Sequence, residues 1–287
     1  MQLYFRKGVI DMANVKNAFK RYEKKFLLTE SQMNELLPLI REHMDPDPYC
    51  RNGETYTICN VYFDTEDSAI IRHSLSKPFY KEKLRMRSYG TPEDENSIVF
   101  LELKKKIRGE VTKRRAVLTY GQAQRFLRDR TVPADLDYIN RQVLAEISWF
   151  LMQYKVRPMA YISYDRTAFF DKEDPEFRLT FDENLRTRRK DVDLMKGNSG
   201  ELLRPQDFRL MEVKVSGAFP LWFADRLCEM GLYTATFSKY GAEYQKWKTD
   251  ALLSNIIYLP GREYETAGNR SDSPKFTFNT YPEAQNA

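Results

Sequence analysis

Three successive segments, FYKEKLRMRSYG, SIVFLELKKKI and EVTKRRAVLTY, alternate apolar and charged residues, a pattern that suits an extended strand with two chemically different faces. Leu84 and Met86 fall on one side and Lys83, Arg85 and Arg87 on the other; Leu101 and Leu103 back onto Glu102 and Lys104; Lys113 and Arg115 continue the charged row. The aliphatic face must pack against helices, which leaves the charged residues on the other surface of the same sheet. TPEDEN reads as the first turn, and Arg108-Gly109 suits a two-residue hairpin. That hairpin sets Lys104 opposite Lys113 and Glu102 opposite Arg115. Lysines opposed across a ladder repel, and an anion between them relieves the repulsion.

The same alternation recurs far away in the chain. Arg21, Glu23 and Lys25 share a face, as do Tyr164 and Arg166, then Arg178, Thr180 and Asp182, then Glu212, Lys214 and Ser216, while Leu179, Phe181, Met211, Val213 and Val215 face the other way. Glu-x-Lys appears on three separate strands, at Glu23/Lys25, Glu102/Lys104 and Glu212/Lys214. On a single strand this reads as a solvated face of an antiparallel sheet. Repetition on strand after strand, with helices over the apolar side, favours an α+β fold in which a closed antiparallel β-barrel tunnel of about eight strands carries helices on its outside. A further strand is expected near Thr55 to Phe63. Helical patterns follow the Thr29 N-cap, and recur in TEDSAIIRHSLSK, TYGQAQRFLRDR, LDYINRQVLAEISWFLMQY, Pro220 to Met230 and Lys239 to Leu253. The expected organisation is an N-terminal arm over residues 1–19, in which Met12 offers an alternative start, a domain over 20–254, and a flexible tail over 255–287 rich in Gly, Asn, Ser and Pro.

Charge narrows the partner class. Lys81 to Arg115 holds eleven Lys/Arg and six Asp/Glu, and that surplus of five equals the +5 of all 287 residues. The basic character is therefore local, as for a polyanion site, rather than spread over the surface. Cys50, Cys59 and Cys228 lack metal-type spacing and follow no secretory signal, so free thiols and a cytoplasmic location are expected. The longest apolar runs fall short of the roughly 20 residues of a membrane span. His43 and His73, the only histidines, lie on helical patterns and read as surface or interhelix residues.

RYEKKF, KLRMRSYG, VFLELKKK, VTKRRAVLT, YDRTAFF, FRLTFDENL, LMEVKV and FSKYG occur in this order between about Arg21 and Gln245. This series resembles the catalytic polyphosphate polymerase domain of the vacuolar transporter chaperone complex and its bacterial relatives, within the triphosphate tunnel metalloenzymes. The resemblance implies a basic lumen that holds a triphosphate, a divalent metal, Mn²⁺ or Mg²⁺, and extension of polyphosphate with the γ-phosphoryl group of ATP. It implies phosphate binding by Lys25, Arg85, Arg87, Lys104, Lys113, Arg166, Arg178 and Lys239, with Tyr164 and Ser238 as hydrogen-bond donors and Glu212 as metal ligand. Arg115, Lys214, Glu23, Glu102 and Asp182 line the same expected faces and rank second. The fungal pattern has a further lysine two residues before its Ser-Lys; this chain has Thr236 there, so one tunnel cation is missing.

Phosphoryl transfer rests on positioning and charge stabilisation. A polyphosphate end is already anionic and needs no strong base, whereas water as acceptor needs one, for which Glu23 and Glu102 are candidates. The competing readings are a tunnel triphosphatase acting on tripolyphosphate or nucleotides and a non-catalytic polyphosphate-binding module. Nucleic acid ranks last, because the cations are expected inside a narrow barrel. The sequence leaves the oligomeric state open.

Overall fold

The computed structural model describes residues 22–108 and 110–257. Arg21, the N-terminal arm and the tail beyond residue 257 lie outside the described residues. Packing separates a unit ending at Lys248 from one beginning at Thr249, and the candidate site belongs to the first.

In chain order the elements are β1 (Tyr22–Thr29), α1 (Glu30–His43), β2 (Met44–Pro46), β3 (Tyr56–Thr65), α2 (Ala69–Leu75), β4 (Tyr80–Tyr89), β5 (Ile98–Ile107), β6 (Glu110–Thr119), α3 (Tyr120–Asp129), α4 (Tyr138–Gln153), β7 (Val156–Asp171), β8 (Arg178–Arg188), β9 (Glu201–Leu202), β10 (Phe208–Val215), α5 (Leu221–Glu229) and α6 (Lys239–Ile257). Side-chain caps set several helix starts. Thr29 and Thr119 each accept from the backbone three residues on, while Gln32 and Gln122 reach back to the cap N–H groups. Asp137 accepts from Asn140 N at the start of α4.

The strands form one antiparallel sheet in the order β1-β10-β8-β7-β3-β4-β5-β6, with β2 added to β7 and β9 to β8. β2 and β9 are too short to show a period and were not anticipated. The tight hairpin is present: Ile107 pairs with Glu110, Lys104 with Lys113 and Glu102 with Arg115. Arg108 enters the turn at φ 49°, as such two-residue turns require. The helix α6 continues to Ile257.

Two apolar clusters cover the outer face. One packs Val61, Leu84, Met86, Leu101 and Leu103 under Phe126 of α3 and Leu144, Ile147 and Phe150 of α4. The other packs Phe26, Leu179, Phe181, Met211 and Val213 under Leu36 and Ile40 of α1 and Phe223 of α5. A third lies on the inner face, where Phe237, Tyr240 and Tyr244 meet Ile58, Tyr62, Ile162, Tyr164 and Leu210. The amino end of α6 therefore sits against the charged side of the sheet.

Closure differs from the expectation. No ladder joins the end strands β1 and β6 among the described residues, so hydrogen bonds do not close the sheet into a barrel. The physical reason is visible at both edges. Thr234 bridges Phe26, and Ala235 N donates to Lys25 O at 2.7 Å, so a return segment occupies the free edge of β1. At β6, Asn140 Oδ1 of α4 takes the edge N–H of Val117 at 2.8 Å. The sheet nonetheless curls. Lys25 on β1 donates to Phe237 O at 3.0 Å and Lys83 on β4 donates to Ser238 Oγ at 3.3 Å, although five ladders separate these strands, about 24 Å if flat.

Candidate functional site

Strand parity puts Glu23, Lys25, Lys83, Arg85, Arg87, Glu102, Lys104, Lys113, Arg115, Tyr164, Arg166, Arg178, Asp182, Glu212 and Lys214 on the inner side, opposite the two outer clusters. Within that face the charges separate into two centres.

The first surrounds Glu102, which is 1% exposed. Arg85 Nε lies 2.6 Å from Oε2, and Lys113 Nζ and Arg115 Nη2 lie 2.8 and 2.5 Å from Oε1, with Arg87 Nε at 3.8 Å. Four cations against one carboxylate leave a formal +3 when all are ionised. Burial works to raise the Glu102 pKa, but Arg85, Arg87, Lys113 and Arg115 overwhelm it and hold the carboxyl far below the usual range. The two arginines are only partly used. Arg85 spends Nη1 on Tyr62 OH at 3.3 Å; Arg87 spends Nε on Asn60 Oδ1 at 2.9 Å and Nη2 on Tyr164 OH at 3.0 Å. These contacts fix both guanidinium planes, and the remaining donors, Nη2 of Arg85 and Nη1 of Arg87, have no protein partner among the described residues. A pre-oriented fork with free donors suits a phosphate.

The second centre is nearly neutral. Arg166 grips Asp182 with both ends of its fork at 2.6 and 2.8 Å, and Lys239 at the start of α6 bridges Asp182 and Glu212, 3.1 Å from the latter. Lys25 adds a contact to the same Glu212 Oε1 at 3.1 Å, while among the described residues Oε2 has only Arg166, at 3.5 Å. Burial opposes the charge of Glu212 and of Lys239, yet their partners prevail: the Glu212 pKa is held well below the usual carboxylate range and the Lys239 pKa is raised. Across the ladder from Glu212 stands Thr180, whose buried hydroxyl has no hydrogen-bond partner among the described residues.

Lysines border the first centre. Burial together with Lys81, Lys104 and Lys25 pushes Lys83 down to about 7, against the pull of Asp64. Lys113 is also pushed down to about 7, by burial and by Arg85 and Arg87 against Glu102. With pKa values near neutrality, either ammonium would be favoured by a nearby negative charge.

The sequence model of the VTC domain matches residues 20–248. The chain belongs to the VTC domain family. Membership supports a tunnel-superfamily enzyme of phosphoryl transfer that binds triphosphate or polyphosphate, in a superfamily that generally uses divalent metals. A comparison with curated protein sequences finds no match. Two solved structures are similar: a Bacillus halodurans protein described provisionally as an adenylate cyclase (13% identity, 75% of this chain and 92% of that one, TM-score 0.46), and a Vibrio parahaemolyticus protein described in the same way (12%, 80% and 99%, TM-score 0.39). At these values the likeness carries no functional argument.

Within this VTC domain the residues expected at the site take unequal positions. Lys25, Arg85, Arg87, Lys113, Arg115, Tyr164, Arg166, Lys239, Glu102 and Glu212 meet in the two centres. Glu23 and Lys214 pair across the β1–β10 ladder at their rim. Lys104 is exposed, and Arg178 turns away from both centres to donate to Pro175 O at 3.0 Å and lie over the Phe170 ring. Ser238 acts chiefly as the cap of α6, accepting from Gly241 N at 3.2 Å as well as from Lys83. Asn60, Tyr62 and Asp64 on β3 were not picked out, although they alternate with Cys59, Val61 and Phe63. Asp64 is fully buried and ties α6 to α2, accepting from Tyr240 OH at 2.9 Å and from Ile70 N and Ile71 N.

The three cysteines are free, with Cys50 and Cys59 buried. His43 stacks on Trp222 between α1 and α5, and His73 contacts Tyr80 O at 2.9 Å. No described helix is long and apolar enough to cross a membrane. No group of three His, Cys, Asp or Glu suited to a metal occurs among the described residues. The donor set that fits a hard cation is smaller: the loosely engaged Glu212 Oε2, with the Thr180 hydroxyl, unpartnered among the described residues, across the ladder. One carboxylate is enough for a cation that takes its other ligands from phosphate and water.

Proposed function

We propose that the protein is an ATP-dependent polyphosphate polymerase that transfers the γ-phosphoryl group of ATP to a polyphosphate chain lying along the charged inner face, which serves as the wall of an enclosed tunnel. The observation that carries this reading is the excess of positive charge around Glu102, where arginine donors are aimed by Asn60, Tyr62 and Tyr164 and left free. Such an arrangement is costly without an anion and favourable with one. Family membership supplies the substrate class.

Arg85, Arg87, Lys113 and Arg115 would hold the phosphates of the nucleotide, and Lys25, Arg166 and Lys239 would fix the second centre against them. Arg178 and Lys104 would join through longer-range attraction. Mn²⁺ or Mg²⁺ at Glu212, beside Thr180, would neutralise charge on the transferring group. The fixed guanidinium planes and ammonium groups supply the remaining stabilisation where charge builds up between leaving and attacking oxygens.

The triphosphatase alternative needs a base to activate water. Glu102 and Glu212 are both held far below the usual carboxylate range by their cations, which makes them poor proton acceptors. Glu23, the other candidate base, stands 3.6 Å from Lys25 Nζ and keeps the hydrolase reading open; an acceptor that is already anionic needs no base, which favours polymerisation. The free buried thiols agree with a cytoplasmic setting. Incubation with ATP and Mn²⁺ or Mg²⁺ tests the reading. The expected products are ADP and a long anionic polymer in matching amounts; inorganic phosphate without polymer assigns the protein to the hydrolases, and binding with no turnover makes it a capture module.

A further inference from the structure

Beyond Glu102, toward the β5–β6 hairpin, the inner face continues with lysine opposite lysine. Lys83, Lys104 and Lys113 lie in register on β4, β5 and β6, and two residues further out Lys81 lies opposite Lys106. Each such step advances about 6.7 Å along a strand, and neighbouring strands stand about 4.8 Å apart. Like charges at these spacings oppose the ladder that holds them. The neighbouring carboxylates do not compensate. Glu82 and Glu110 have the opposite parity, and Glu82 accepts from Tyr80 OH at 2.8 Å. Lys104 and Lys106 have no hydrogen bond or ion pair among the described residues, while Lys81 Nζ is held by Ser74 O at 3.0 Å. The mutual repulsion is registered at Lys81, whose pKa falls through burial and through Lys106, Lys104 and Lys77. At the opposite end of β4 and β5 the connecting turn carries Glu93, Asp94 and Glu95. The two ends of the same strands thus carry opposite charge, and a polyanion is drawn to one and repelled by the other.

We propose that the opposed pair Lys81 and Lys106, continuing outward from Lys83, Lys104 and Lys113, is a second anion subsite that binds the phosphates of a linear polyphosphate beyond the three held at the arginines. The inference rests on the polyphosphate reading above for its ligand, and it adds a basis for telling a polymer from a triphosphate. Three phosphates end at the arginine centre; only a longer chain reaches the lysine pair.

The test compares the full chain with the variant Lys81→Gln/Lys106→Gln, using inorganic tripolyphosphate and a long polyphosphate in separate titrations at fixed salt. The long polymer is expected to lose affinity by about tenfold in the variant while tripolyphosphate changes by less than about twofold. Lys81→Arg/Lys106→Arg is expected to keep the wild-type preference. Removal of opposed charges should leave the melting temperature unchanged or higher, which separates a lost subsite from a lost fold. Equal losses for both ligands, or no loss for either, would overturn the subsite. An equal loss toward a single-stranded oligonucleotide of similar length would overturn its assignment to polyphosphate. Polymer synthesis by the wild type is scored independently: its absence removes the polymerase reading, and its presence with unchanged variant binding removes the subsite alone.

Discussion

The two charged centres of the inner face use the same residue types and reach different balances. Around Glu102 four cations share one carboxylate; around Asp182 and Glu212 three cations, Lys25, Arg166 and Lys239, share two. The first keeps guanidinium donors in reserve. The second spends its fork on Asp182 and ties the start of α6 to β8 and β10. The difference teaches that burial of many charges does not by itself mark a ligand site: the centre around Glu102 keeps guanidinium donors without a protein partner among the described residues, whereas the centre around Asp182 and Glu212 ties most of its cation donors to its own carboxylates.

The sharpest way to break this contrast is Glu212→Gln. If Glu212 serves chemistry and the arginine centre serves binding, turnover of ATP with Mn²⁺ should fall by about 10²–10³-fold while tripolyphosphate affinity stays close to wild type. An unchanged rate would assign Glu212 to structure alone.

Stability should separate the centres next. Asp182→Asn leaves Arg166 and Lys239 short of countercharge and should cost about 3–5 kcal/mol, read by denaturant titration. Arg85→Ala leaves Glu102 three other cations and should cost less than about 1.5 kcal/mol, yet it should weaken tripolyphosphate binding by about tenfold or more. Glu102→Gln should melt below wild type in phosphate-free buffer and regain most of that difference when tripolyphosphate is added; failure of the rescue would contradict an anion site there.

The proton balance gives a third measure. Lys83, displaced from an ordinary 10.5 to about 7, is largely neutral at pH 8 in the free protein, and a bound phosphate restores its proton. Binding at pH 8 should therefore take up protons, seen as different heats in buffers of different ionisation enthalpy, and affinity should weaken from pH 7 to 9. For folding the sign is the reverse. The folded chain has released a proton that the unfolded chain keeps between about 7 and 10.5, so this lysine contributes a gain in stability as pH rises through that window, and its cost is complete below it. The smallest effect expected is from Ser238→Ala, about 1 kcal/mol for the lost helix cap.

Much of this was legible from strand parity. Leu84, Met86, Leu101 and Leu103 on one side required Arg85, Arg87, Glu102 and Lys104 on the other, and the short Arg108-Gly109 link implies the Lys104–Lys113 register. Asn60 and Tyr62 were harder to see, because Ile58 precedes them on the same face and the strand reads as generally apolar. Arg178 shows the limit of parity: the strand delivers its Cα to the inner face, but a long side chain bends toward Pro175 O and the Phe170 ring. Ser238 precedes the helical pattern that starts at Lys239 and accepts from Gly241 N as its cap; what the local sequence does not reveal is that this helix start lies against the charged face of the sheet.

The amino-acid sequence alone determined which residues alternate, which faces they share and how tightly β5 returns into β6, because these depend on backbone periodicity and turn length. Only the tertiary structure decided how the charges are apportioned. Whether a lysine meets a carboxylate, another lysine or a carbonyl depends on strands brought together across the curled sheet, and on a return segment that covers the edge of β1 instead of a ladder that closes it.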